Sequence, residues 1–157
     1  MKNKEPRFCW DPEAHIATCI VEVNSKIFCG VATCHPEDLD FESEKVGCNI
    51  AYARAAINVL QDRVTNDLKP RLASLHQLYY AINKSKYYDE TSYPVRMLIQ
   101  HMEHIEDEIA ATKDNIKQIK QDLRQYISDK EKLYNTMRAN RQKKEAKNED
   151  TASVQFL

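Results

Sequence analysis

This 157-residue chain is almost without glycine, having only Gly30 and Gly47. That poverty rules out a glycine-rich phosphate loop, and neither a strained-elbow serine motif nor a base–nucleophile pair takes its place. No catalytic signature appears. No run is long and apolar enough to span a membrane. The opening MKNKEPRFCW lacks the apolar core of an export signal. The five cysteines, Cys9, Cys19, Cys29, Cys34 and Cys48, are odd in number and confined to the first third. With no export signal they are expected to be reduced thiols in a cytoplasmic protein.

What the chain does have is charge and helical pattern. Charged residues make up 30% of it, which with so little glycine fits a mostly helical protein. The net charge of −1 hides a gradient along the chain. Residues 1–45 are acidic on balance, and residues 46–92 and 93–157 are mildly basic. Glu103, Glu106, Asp107, Glu108 and Asp114 precede a basic end running from Lys130 to Lys147. Two such helices laid antiparallel would set acid against base, whereas a nucleic-acid binder would be basic more uniformly.

The strongest pattern is one stripe: Leu98, Met102, Ile105, Ile109, Thr112, Ile116, Ile119, Leu123, Tyr126, Lys130, Leu133, Met137. Its spacing alternates four and three, the period of a coiled-coil seam. Only Thr112 and Lys130 break the apolar rule. A helix of that length needs a partner along it, from this chain or from another copy. The seam that defines this contact is Met102, Ile105, Ile109, Ile116, Ile119 and Leu123. A homo-oligomer is expected, because the seam is longer than any internal partner.

Upstream, HIATCIVEV (15–23) is rich in β-branched residues and predicts a strand. Asn24 and Ser25 supply a turn, and residues 26–34 predict the returning strand. Both strands are apolar on both faces, so the hairpin should be covered on each side or paired with a copy. An acidic loop follows, and Ser43 or Asp40 would cap the next helix. That helix carries Ile50, Ala53, Ile57, Leu60 and Val64. Leu68, Leu72, Leu75, Tyr79 and Ile82 continue the face after a one-step change of spacing, where Pro70 implies a kink or a break.

The expected fold is α+β and mainly helical. A β-hairpin module with its acidic loop (1–45) packs on a helix. A long antiparallel helical hairpin follows (46–147), made of a kinked helix or two helices over 46–84 and one long helix over 93–145. Residues 148–157 are expected to be a disordered tail.

Several clusters hold residue types that carry chemistry. Cys29, Cys34, His35 and Cys48 could ligate zinc but lack a close Cys-x-x-Cys pair; buried apolar thiols are the simpler reading. Glu37, Asp38, Asp40, Glu42 and Glu44 crowd one loop, where a helix N-terminus favours acids without any cation. His101, His104 and Glu108 share part of a helix surface and fit solvated edge positions. No metal or other cofactor is expected.

Five of the eight tyrosines gather at one end of the hairpin: Tyr79, Tyr80, Tyr87, Tyr88 and Tyr93. Lys84 and Lys86 lie among them. Such a set can stack a base and hold a phosphate, contact a protein, or seal the hairpin end. Tyr80, Lys84, Lys86, Tyr87, Tyr88 and Tyr93 are therefore the candidate contact surface, because Tyr80 turns about 100° away from the apolar stripe that holds Tyr79.

Two resemblances add expectations. IVEVNSKIFCGVATC followed by IAYARAAINVL resembles the second half of a double-stranded RNA-binding domain across residues 16–60. Such domains carry lysines at the helix start, where this chain has Gly47, Cys48 and Asn49. FCGVATCHPEDLDFESEKVGCNIAYARA and LKPRLASLHQLYYAI resemble small uncharacterised accessory proteins of Gram-positive phages and prophages. That resemblance implies a non-enzymatic protein of the bacterial host cytoplasm that blocks a defence protein or sequesters its nucleotide signal. The readings carried forward are a protein-binding inhibitor, a nucleotide or nucleic-acid binder, and a coiled-coil scaffold.

Overall fold

A computed structural model describes residues 5–35, 43–85 and 88–154, the last nine by backbone alone. Glu37, Asp38, Asp40 and Glu42 of the acidic loop lie outside the described residues, as do Lys86 and Tyr87.

The chain opens with three antiparallel strands in the order β1-β2-β3: β1 (Arg7–Asp11), β2 (Ile16–Val23) and β3 (Lys26–Thr33). Asn24 and Ser25 join β2 to β3 with φ of 50° and 63°, the left-handed backbone that a two-residue hairpin turn uses. The sequence expectation of two strands is corrected here to three. β1 is short, follows Pro6 and has charges at both ends, so its alternation of Phe8 and Trp10 carries little signal. Asp11 Oδ1 accepts the N–H groups of Glu13 and Ala14 at 3.0 and 2.9 Å, which turns the chain into β2.

One sheet face is covered by α1 (Glu44–Asp62). Ser43 caps this helix by accepting from Val46 N at 3.4 Å. Ala51 and Ala55 lie one turn apart and are fully buried against Ala17, Cys19 and Ala32. Two small side chains in that spacing let the helix backbone approach the sheet at Gly30. Lys26 Nζ meets Asp62 Oδ2 at 2.8 Å, tying the start of β3 to the end of α1. No described element covers the other sheet face: Ile27 is 66% and Val31 44% exposed. Covering on both faces is thus not met among the described residues.

Helical hydrogen bonding runs on from α1 through a π-helical segment (Arg63–Leu68) into α2 (Lys69–Asn83). The backbone N–H of Lys69 bonds to Val64 O, five residues back. This wider turn inserts the extra residue that the change of apolar spacing requires. It also relaxes the crowding that Pro70 would impose on the carbonyl four residues before it. In place of a break, the stripe stays in phase from Val64 to Leu68.

After the turn, α3 (Tyr93–Val154) runs for 62 residues, about 93 Å. It returns antiparallel along α1 and α2. The order of contacts shows this: Asn49 Nδ2 donates to Tyr126 Oη at 3.3 Å, Arg63 pairs with Glu108, and His76 faces Glu106 at 3.6 Å. Val64, Leu68, Ile105 and Ile109 form the central cluster, flanked by Leu72 and Leu75. Thr112 is tolerated in the seam because its hydroxyl donates to Glu108 O at 2.7 Å. Met102, Ile116, Ile119 and Leu123 are half-buried. Leu133 and Met137 are exposed, because α3 outruns its internal partner there.

The tail expectation is corrected in part. Helix continues through residues 148–154, since no glycine or proline follows Lys147 to stop it. The accessible surface is 11814 Å², against about 8,100 Å² for a compact monomer of this mass. The excess belongs to an elongated chain with a thin core.

Candidate functional site

The hairpin end is built by two helix termini and a pinned turn. Ser92 N donates to Asp89 O at 3.1 Å, and Tyr88 N donates to Ser85 O at the same distance. Asp89 Oδ1 accepts both the backbone N–H and the hydroxyl of Thr91 at 2.9 and 2.7 Å. These bonds lower the Asp89 carboxyl below its ordinary range. The turn folds Tyr88 back onto Tyr79, with hydroxyls 3.2 Å apart and rings edge to face. That pair seals the end of the seam, so Tyr88 is structural more than free.

Tyr80 and Tyr93 behave differently. They are 60% and 69% exposed. Lys84 Nζ sits 4.3 Å from the Tyr80 ring centroid, a cation–π contact. Met97, one turn after Tyr93, is also exposed. Sequence reasoning passed over Met97. Its i, i+4 relation to Tyr93, off the seam, was the available signal. The described members of the candidate surface thus divide into Tyr88, half-buried in a brace with Tyr79, and exposed Tyr80, Lys84 and Tyr93, beside which Met97 is also exposed.

The Tyr79 hydrogen bond is the main cause that pushes the Tyr88 phenol up to about 12, helped by desolvation and by Glu90 and Asp89 nearby. The fold favours the neutral hydroxyl. Its contribution to stability is therefore complete below pH 10 and is lost as pH rises toward 12. An alkaline absorbance titration should show one late-ionising tyrosine, and Tyr88→Phe should remove that late step. A titration without it would show the brace to be open in solution.

Other candidate groups do not converge. None of the five cysteines is in a disulfide, and Cys19 is buried. Burial raises the Cys19 and Cys48 thiols above their usual range, with Glu44 adding to the effect at Cys48. Such thiols are weak nucleophiles and reluctant ligands. Among the described residues no three His, Cys, Asp or Glu side chains gather into a metal-holding group. His101 and His104 are exposed, and Glu108 is engaged by Arg63.

Two features were not foreseen. A cavity of about 200 Å³ lies between the sheet, the first turns of α1 and α3, lined by Trp10, His35, Arg54, Lys130 and Tyr134 among others. On α3, Lys113, Lys117, Lys120 and Arg124 line one exposed face at i, i+4, i+7 and i+11. No family model matches this chain, and no curated protein or solved structure matches it.

Proposed function

We propose that this chain is a non-enzymatic binding protein that grips a protein partner with its tyrosine-rich hairpin end. The observation that carries this reading is the exposure of Tyr80, Lys84, Tyr93 and Met97 on the two helix termini that meet at the hairpin end, where the Tyr79–Tyr88 brace pins the turn. Large aromatics presented at low entropy cost beside a cation are the usual anchors of protein contacts. Lys84 already occupies a face of the Tyr80 ring, which favours protein contact over base stacking. The resemblance to phage accessory proteins extends the proposal to an inhibitor of a host defence protein in the bacterial cytoplasm. No helix of the described residues is long and apolar enough to cross a membrane.

The test is capture from bacterial lysate by the full chain, beside the variant Tyr80→Ala with Tyr93→Ala. Both side chains are largely exposed, so the variant should melt like the parent while losing its captured protein by about tenfold or more. Undiminished capture would place the contact elsewhere. A parent protein that purifies with nucleotide absorbance and captures no protein would favour the sequestering alternative.

A further inference from the structure

The sheet has two edges, and they are finished differently. On β3, side chains of α1 reach over the edge: Asn58 Nδ2 donates to Cys29 O at 2.8 Å, and Arg54 donates to Val31 O. Those carbonyls are taken, so a strand arriving at β3 would have to displace both side chains. On β1 no such cover is seen among the described residues. It is the outer strand, and Arg7, Phe8, Cys9 and Asp11 are all exposed. An unpaired strand edge is a template for another strand.

The residues of β1 then select the partner. Two copies of RFCWD laid antiparallel about a two-fold axis at Cys9 set Arg7 opposite Asp11 of the other copy, twice. Phe8 falls opposite Trp10 of the other copy, also twice, and Cys9 meets its own equivalent. Opposite charges and aromatic pairs directly across a ladder stabilise antiparallel strands. A two-fold axis normal to the sheet must pass midway between a residue and its own equivalent, because facing side chains lie on the same side of the sheet. Centring on Phe8 or on Trp10 leaves the Arg7–Asp11 match unmade, so Cys9 is the register that satisfies both kinds of pair.

The surroundings accept this pairing. Phe8 and Trp10 point to the α1 side of the sheet, where Phe8 lies 6.4 Å from the half-exposed Tyr52 ring. A second copy would cover those aromatics. α1 sits over β2 and β3 and barely reaches β1, which leaves room for the neighbour's strand.

We infer that the free edge of β1 is a self-association surface, and that two copies of this chain join β1 to β1 antiparallel into a continuous six-stranded sheet. The interface is isologous, as a two-fold dimer requires. It moves the expected self-association from the helical seam, which α1 and α2 fill for most of its length, to the sheet. It does not depend on the tyrosine-rich end.

The test uses the full chain. Light scattering should give a dimer mass, and a short bis-maleimide should link Cys9 to Cys9 of the other copy, as mapped by peptide mass spectrometry. The variant Arg7→Asp sets like charges against Asp11 and should weaken dimerisation by about tenfold or more. Adding Phe8→Lys should leave a monomer with unchanged far-ultraviolet dichroism. Should that double variant misfold, Arg7→Asp alone and the parent cross-link still decide the matter. A monomeric parent overturns the inference, as does a dimer indifferent to Arg7→Asp, or a cross-link through Cys29 in place of Cys9. Loss of the dimer with partner capture intact would separate this edge from the tyrosine-rich contact.

Discussion

Alanine in place of Gly30 is expected to destabilise the fold by about 3 kcal/mol or more, at the top of the range for overpacked cores. A Cβ at that position would lie 1.9 Å from Ala51 O and 2.4 Å from Ala55 N. Both are backbone atoms of α1, and neither can rotate away. The helix must lift from the sheet, which opens the cluster of Ala17, Cys19, Ala32, Ala51 and Ala55. Chemical denaturation followed by dichroism measures the loss. Val31→Ala, on the open face of the same strand, serves as the control and should cost little. A Gly30→Ala midpoint equal to that of the parent would mean that α1 does not seat on the sheet here.

The second large effect belongs to Ile105. It is 1% exposed and packs with Leu68, also 1% exposed, at the centre of the helical hairpin. Ile105→Ala should cost about 2–5 kcal/mol. Ile105→Asp should cost more, because the carboxylate would be buried with no cation placed to receive it. Ile116→Asp should be milder, since Ile116 is only half-buried. Denaturation midpoints for the three variants should follow that order. Equal costs at Ile105 and Ile116 would mean that the seam is covered evenly, by a second chain as well as by this one.

That contrast shows how far the pattern of residues reaches. The seam from Leu98 to Met137 was legible because a period of 3.5 leaves few ways to hide an apolar row. How deeply each member is buried was not, since burial depends on where α1 and α2 end against α3. The change of spacing at Val64 and Leu68 was visible too. Its resolution as a π turn, and not a break, depends on hydrogen bonds that reach five residues back, as from Lys69 N to Val64 O. β1 escaped because five residues with charged ends look like a linker until β2 is there to pair with them. At the tyrosine-rich end, the cluster stood out by composition. Composition alone does not separate the Tyr79–Tyr88 brace from exposed Tyr80 and Tyr93; the turn pinned by Asp89 does that.

The last tie between sheet and helices is Lys26 with Asp62. From there α2 and the start of α3 run on as two helices with no third layer among the described residues, about 30 Å further to the turn after Asn83. The module at the base is broad and the projection is narrow, in the manner of a key with its bow and blade. A flat partner surface would be touched by the tip alone, over a small area. A partner with a cleft would also meet the flanks of the projection, where Leu78 is exposed on α2. The depth of such a cleft is bounded by the step at which the sheet begins, so the shape of this chain sets a limit on how far into another molecule it can reach.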